Sequence, residues 1–148
     1  MNSFNETPTV TGQVTLTHKD AAGNIISEST VKNLVVTTGL SHIASRMKDA
    51  TATAMSHMAL GSSSTTPDLS DTALGGSLGR VALTATNVTA NAVTYTATFA
   101  AGTATGAVVE AGIFNNVSGG AMLCRTVFPV INKNSTDSLA VTWVVTVS

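Results

Sequence analysis

Charged residues are scarce in this sequence: they make up only 10% of its 148 residues and leave a net charge of −1. Globular proteins usually carry about 25% charged residues. The chain has no cluster of lysine and arginine of the kind that binds nucleic-acid phosphates, so a nucleic-acid partner is not expected. A weakly charged surface repels other copies only weakly, which favours permanent association with further subunits.

Cysteine, aromatic residues and long apolar runs are also scarce. The single cysteine, Cys124, excludes an internal disulfide and a multi-cysteine zinc site, and we expect it to be a small buried apolar residue. No run approaches the roughly 18 apolar residues of a membrane span, so no membrane partner is expected. The first residues, 1–11, lack a basic start followed by an apolar stretch, which predicts synthesis in the cytoplasm without a secretory signal.

Threonine and alternating apolar residues dominate what is present. Eight segments are predicted to be strands, and in several of them apolar residues recur at every second position, which is the period of a half-buried β-strand. These segments are 10–18, 25–36, 55–60, 81–85, 93–99, 108–114, 121–128 and 139–147. The sequence therefore predicts one mostly β domain over 10–148, an antiparallel sandwich of jelly-roll or immunoglobulin-like topology, preceded by a flexible arm over 1–9.

One short helix is predicted near residues 38–48. Leu40, Ile43, Ala44 and Met47 lie three or four positions apart and would form a single apolar stripe. A helix of about three turns is marginal alone, so we expect this stripe to pack against a sheet.

No catalytic, cofactor-binding or metal-binding residue is predicted. The sequence has no Gly-x-Ser-x-Gly motif, and the serines of 62–64 are typical of a loop. His18, His42 and His57 do not have metal-ligand spacing. Asp68 and Asp71 lack the further acidic ligands and the glycine of a calcium loop, so they are expected to cap turns.

Glu110 is the unusual residue, because it lies inside the apolar segment 108–114. A buried carboxylate is costly unless it is paired. The sequence predicts an ion pair across neighbouring strands, with Arg125 or Arg80 as the partner. The alternative, a general acid, needs a second carboxylate nearby, and none is adjacent in the sequence.

Two segments are candidate contacts with other subunits. The polar arm contains one apolar side chain, Phe4, beside Asn5. The segment 62–79 is longer than most loops of compact domains, and such loops are usually functional or disordered. We expect its Pro67, Asp68 and Leu69 to contact a partner.

The order of several short motifs from residue 31 to the end resembles that of small virion proteins of tailed bacteriophages. The motifs are VKNLVVTTGL (31–40), ASRM (44–47), MALG (58–61), DTAL (71–74), GRV (79–81), EAGIFN (110–115), MLCR (122–125) and finally Trp143. Proteins of this appearance are similar to capsid decoration (cement) proteins, which are often jelly-roll-like or immunoglobulin-like. The resemblance implies no catalytic residues, and the arm lies outside it.

The resemblance implies a non-enzymatic protein on the capsid exterior of a virion. Its expected partners are the major capsid protein and other copies of itself, as a dimer or trimer, without a cofactor. One alternative is a tail, baseplate or fibre component. An alternative of another class is a carbohydrate-binding or hydrolytic module, which the low aromatic content of 4% disfavours because sugar sites generally use exposed aromatic side chains.

Overall fold

The protein is a two-layer antiparallel β-sandwich with one short helix, seen in a computed structural model that describes residues 6–48 and 51–148. Each layer is a sheet of five strands. In the order of its strands, sheet A contains β2 (Ile25–Lys32), β1 (Val10–Lys19), β10 (Ser138–Val147), β7 (Ala92–Phe99) and β6 (Ala85–Thr89). Sheet B contains β3 (Leu34–Val35), β9 (Met122–Lys133), β8 (Gly106–Phe114), β4 (His57–Gly61) and β5 (Ser77–Ala82). The helix α1 spans Thr37–Lys48.

The core lies between the two sheets and confirms the alternating pattern read from the sequence. Trp143 of β10 and Phe99 of β7 are fully buried from sheet A, and Met58 of β4 and Ile113 of β8 are fully buried from sheet B. All four belong to one apolar cluster. A side chain of this size stabilises the fold by roughly 1.5–3 kcal/mol when it is fully buried.

The described residues form ten strands, whereas the sequence predicted about eight. The predicted segment 25–36 is divided at Asn33, where the chain passes from sheet A to sheet B. Asn33 stabilises this crossing, because its Oδ1 accepts a hydrogen bond of 3.2 Å from Trp143 Nε1 and its N–H donates to the carbonyl of Gly12. The predicted segment 81–85 is likewise divided between β5 and β6.

The helix is present within one residue of the predicted range, but the predicted packing face is wrong. Leu40 is 45% exposed and Met47 is 83% exposed, and only Ile43 of the predicted stripe packs against the core. The contact is made instead at Gly39, where an added Cβ would lie 2.1 Å from the carbonyl oxygen of Leu123. The glycine lets the helix backbone approach β9 closely, and of the stripe only Ile43 reaches the core.

The outer face of sheet B carries a second, smaller apolar cluster. Phe114, Met122, Ala59 and Val36 are buried there, and Leu74 packs against them. Leu74 belongs to the segment 62–76, which we call the covering loop because it lies over this face. Neither this cluster nor its cover was predicted from the sequence.

Candidate functional site

The residue that the sequence singled out, Glu110, lies beneath the covering loop. Its side chain is fully buried on β8, and Arg125 on the neighbouring strand β9 is 2% exposed. Arg125 Nη2 lies 2.8 Å from Glu110 Oε2, and Arg125 Nε donates to the same oxygen at 3.0 Å. The structure thus brings together these two members of the predicted ion pair.

Glu110 also binds the covering loop through backbone N–H groups. Its Oε1 accepts hydrogen bonds from the N–H of Ser63 at 3.1 Å and of Gly76 at 2.7 Å, and its Oε2 accepts one from Gly75 at 3.1 Å. Gly61, opposite Glu110 on β4, leaves room for this arrangement, since an added Cβ there would lie 2.4 Å from Glu110 Oε1. The carboxylate is therefore saturated with donors and serves to hold the loop.

Arg125 holds the same loop from its other side. Its Nη1 donates to the carbonyl of Thr65 at 2.9 Å and to Asp71 Oδ2 at 3.1 Å. Asp71 also accepts a hydrogen bond from the N–H of Asp68, which closes the turn 68–71. Removing two charges from water is costly, and this number of hydrogen bonds is what makes such a buried pair tolerable.

Arg80, the second partner predicted for Glu110, lies elsewhere on the same face. Its guanidinium stacks over the ring of Phe114, 3.7 Å from the ring centroid. Its Nη1 donates to the carbonyls of Asn116 and Gly119, at 3.0 and 2.9 Å. Burial lowers the pKa of Arg80. Its role is to hold the turn between β8 and β9, and the prediction that it pairs with Glu110 is not what the structure shows.

The predicted contact residues of the covering loop lie at its outer surface. Leu69 is 53% exposed, Asp68 is exposed and Pro67 is half-buried. The hydroxyl and the N–H of Ser70 donate to Asp68 and lower the pKa of its carboxyl. These residues are therefore exposed on a loop whose backbone is fixed by the hydrogen bonds to Glu110 and Arg125. Phe4 and Asn5, the contacts predicted in the arm, lie outside the described residues.

A second buried polar cluster, which the sequence did not reveal, closes one end of the sandwich. His18 Nε2 lies 2.9 Å from Asp137 Oδ2, and both side chains are at most 7% exposed. The backbone N–H of Asn134, followed by His18, lowers the pKa of Asp137. Lys133 donates to the carbonyl of Ala100 at 3.0 Å. Each of these groups bonds to a loop or strand end, as expected of residues that secure turns.

The remaining candidate site residues are the cysteine and the side chains that could bind a metal ion. Cys124 is fully buried, and burial raises the pKa of its thiol well above the ordinary value. Over 6–48 and 51–148, no three His, Cys, Asp or Glu side chains are grouped so that they could hold a metal ion. Over the same residues no helix has the length and apolarity needed to span a membrane.

The outer face of sheet A is rich in threonine, and we call it the threonine face. Because Val14 and Leu16 of β1 point into the core, the side chains that alternate with them point outward. The same alternation along the other strands places threonines of all five strands on this face. They are Thr11, Thr15, Thr17, Thr30, Thr89, Thr94, Thr96, Thr98, Thr142 and Thr146, and none is buried.

The threonines are aligned across the sheet. Thr30, Thr15, Thr142 and Thr96 stand opposite one another on four successive strands, and adjacent strands lie about 4.8 Å apart. Charged side chains on this face belong only to β1 and β2, because β6, β7 and β10 contain no charged residue. Removing water from such a face costs less free energy than removing it from a charged face. Its β-branched side chains also have little rotamer freedom to lose on binding.

An apolar groove of about 430 Å³ opens at one end of sheet A, between the sheet and α1. Ile43 and Met47 line it from the helix, and Val88, Tyr95 and Val147 line it from the strands. Burial, and to a lesser extent Cys124, raises the pKa of Tyr95 to about 12. Thr9, which precedes β1, lies near this groove, because it exchanges backbone hydrogen bonds of 2.8 Å with Ser148, the neighbour of Val147.

Comparison with known proteins gives no relative. No family model, no curated protein and no solved structure matches this chain.

Proposed function

We propose that this chain is a non-enzymatic structural protein of a bacteriophage virion, a capsid decoration protein that binds the outside of the capsid lattice and stabilises it. The observation that carries the proposal is the threonine face, a five-strand surface that lies opposite the covered side of the sandwich. It would dock on the major capsid protein. The motif order from residue 31 onward supports the virion assignment.

The chemistry of the threonine face suits docking on a protein. Each threonine offers a hydroxyl that can donate or accept a hydrogen bond and a methyl group that can pack. Backbone and side chains are already ordered by the sheet, so little freedom is lost on binding. Many such weak contacts, repeated over a lattice by an oligomer, add up to a firm attachment.

The buried polar residues support a structural role as well. Burying the charges of Glu110 and Arg125 costs free energy of desolvation, and their hydrogen bonds, including that of Arg125 to Asp71, go to the covering loop. They keep the side of the sandwich opposite the threonine face closed. Pro67, Asp68 and Leu69 lie on that closed side, where they would face the solvent or a neighbouring decoration subunit.

Binding to capsids assembled without this chain tests the proposal. Wild-type protein should co-sediment with such capsids and saturate at a number of sites set by the lattice. Thr142→Lys, in the centre of the threonine face, should weaken binding at least about tenfold, because the partner would have to accommodate an unpaired charge. Thr105→Lys is the matched control, since Thr105 is exposed in a loop outside this face.

Two outcomes would contradict the proposal. Absence of saturable binding by the wild-type protein would remove the capsid as a partner. If Thr142→Lys bound normally and Leu69→Glu did not, docking would take place through the covering loop and the threonine face would not be the contact. Circular dichroism should show that all variants remain folded.

A further inference from the structure

Strand β2 leaves a long edge of sheet A unpaired. It is the terminal strand of the sheet, it spans eight residues, and every one of them except Val31 is exposed. At its far end β9 approaches it, and Thr126 Oγ1 donates a hydrogen bond of 2.8 Å to the carbonyl of Lys32. Exposed edges of this length readily pair with another strand, and natural proteins usually cover, shorten or bend them.

The backbone polarity of this edge follows from its pairing with β1. Asn33 donates its N–H to the carbonyl of Gly12, and the same register pairs Val31 with Val14. In an antiparallel pair, hydrogen-bonded and non-hydrogen-bonded residues alternate. Residues 27, 29 and 31 of β2 therefore bond to β1, and the N–H and C=O groups of Glu28 and Thr30 and the N–H of Lys32 point to the free edge.

The side chains of Glu28, Thr30 and Lys32 select a partner. They lie on the threonine face, where Glu28 carries a negative charge and Lys32 a positive one, four residues apart. If a second β2 runs antiparallel with Thr30 opposite Thr30, Glu28 of each copy faces Lys32 of the other. Centring the pair on Glu28 or on Lys32 would instead place like charges opposite each other, which is unfavourable.

We propose that the chain forms a symmetric dimer by antiparallel pairing of β2 with β2 of a second copy, with Thr30 on the two-fold axis. The N–H and C=O of Thr30 bond across the axis, and the N–H of Lys32 donates to the carbonyl of Glu28 of the other copy. The two Glu28–Lys32 side-chain pairs fix the register.

The dimer has a consequence for the surface of the protein. Pairing at the edge joins the two A sheets into one continuous sheet, and a two-fold axis perpendicular to that sheet keeps both threonine faces on the same side. The row of Thr15 and Thr30, whose hydroxyls lie 3.1 Å apart, continues into the second copy. The docking area is doubled without any new element of structure.

Charge reversal on isolated protein tests the pairing without capsids, so it can fail while capsid docking stands. Sedimentation equilibrium should show a concentration-dependent dimer for the wild type. Glu28→Lys or Lys32→Glu alone places like charges opposite in both symmetric pairs and should weaken dimerisation roughly tenfold or more. The double variant Glu28→Lys/Lys32→Glu restores opposite charges and should restore the dimer.

Two further variants report on the backbone and the register. Thr30→Pro removes an outward N–H that β1 does not use, so it should leave the fold intact and abolish the dimer. Thr30→Cys should give a disulfide-linked dimer on mild oxidation, and Ile26→Cys should not, because only residue 30 faces itself. Cys124 is buried and cannot compete. A wild-type monomer at all concentrations, or a double variant that stays monomeric, would overturn the proposal.

Discussion

Replacing Glu110 by glutamine tests how much the buried charge of this residue contributes to the stability of the fold. The change keeps the shape of the side chain and removes its charge. All five hydrogen-bond donors around the carboxylate are N–H groups: three from the backbone of Ser63, Gly75 and Gly76, and two from Arg125. Whichever way the amide is turned, its NH₂ group meets at least two of these donors, so hydrogen bonds are lost on that side.

The magnitude follows from what is left unpaired. Removing one partner of a buried ion pair costs about 3–5 kcal/mol, because the remaining charge stays buried. Arg125 retains Asp71 at 3.1 Å, and this carboxylate, with its side chain 26% exposed, compensates only in part. We therefore expect Glu110→Gln to lower the free energy of unfolding by roughly 3–5 kcal/mol, a large share of the 5–15 kcal/mol typical of a domain.

Urea denaturation followed by Trp143 fluorescence measures this loss. With an m value of about 2 kcal/mol per M, the midpoint should fall by about 1.5–2.5 M. Glu6→Gln, at an exposed position outside the strands, is the control and should shift the midpoint hardly at all. Amide hydrogen exchange at Gly75 and Gly76 should accelerate in the Glu110 variant. A loss below about 1 kcal/mol would refute the reasoning that the charge is what holds the covering loop.

Three further predictions concern separate parts of the sandwich. Gly39→Ala should destabilise the protein by about 1–3 kcal/mol in thermal unfolding, because the added Cβ meets the carbonyl of Leu123, while Ser41→Ala on the same helix should have little effect. The thiol of Cys124, whose pKa is raised by burial, should not react with a thiol reagent at pH 8 until urea unfolds the chain. The pKa of Asp137 is lowered, above all by the N–H of Asn134, so its contribution to stability is present above its ordinary value of 3.8 and is lost as pH falls through the folded value. The difference in Tm between Asp137→Asn and wild type should therefore shrink below pH 3.8, and a difference independent of pH would contradict this assignment.

The strands were predictable because their signal is local. Apolar side chains at every second position of β10, with Trp143 among them, predicted a strand, and the structure buries them on its inner face. The division into two sheets was not readable in the same way. Val81, Leu83 and Ala85 keep a regular alternation although the chain leaves sheet B after Ala82 and enters sheet A at Ala85. Val81 and Leu83 pack against the core, whereas Ala85 is exposed opposite Thr96 on the outer face of sheet A. Alternation therefore indicated neither the change of sheet nor the face on which the next strand places its side chains.

The covering loop shows the limit of the pattern more clearly. Glu110 in an apolar strand predicted a partner, and the distance to Arg125 gives it one. What the sequence did not indicate is that backbone N–H groups from 62–76 supply most of the remaining hydrogen bonds. The signal that could have suggested this is the pair Gly75-Gly76, whose lack of side chains permits close packing against the start of the loop: an added Cβ would lie 2.5 Å from Ser63 Oγ at Gly75 and 2.7 Å from Ser62 Oγ at Gly76. Likewise, the apolar stripe of α1 did not indicate the main contact of the helix, because Gly39 lets the helix backbone meet β9 and of the stripe only Ile43 reaches the core.

The number of copies of this chain per virion tests the central claim most directly. Quantitative mass spectrometry of purified particles compares it with the major capsid protein. A protein that covers the capsid lattice through the threonine face should be present in a number comparable to that of the major capsid protein. A handful of copies per particle would contradict lattice decoration and point to a tail or fibre position, and absence from the particle would contradict a virion role altogether.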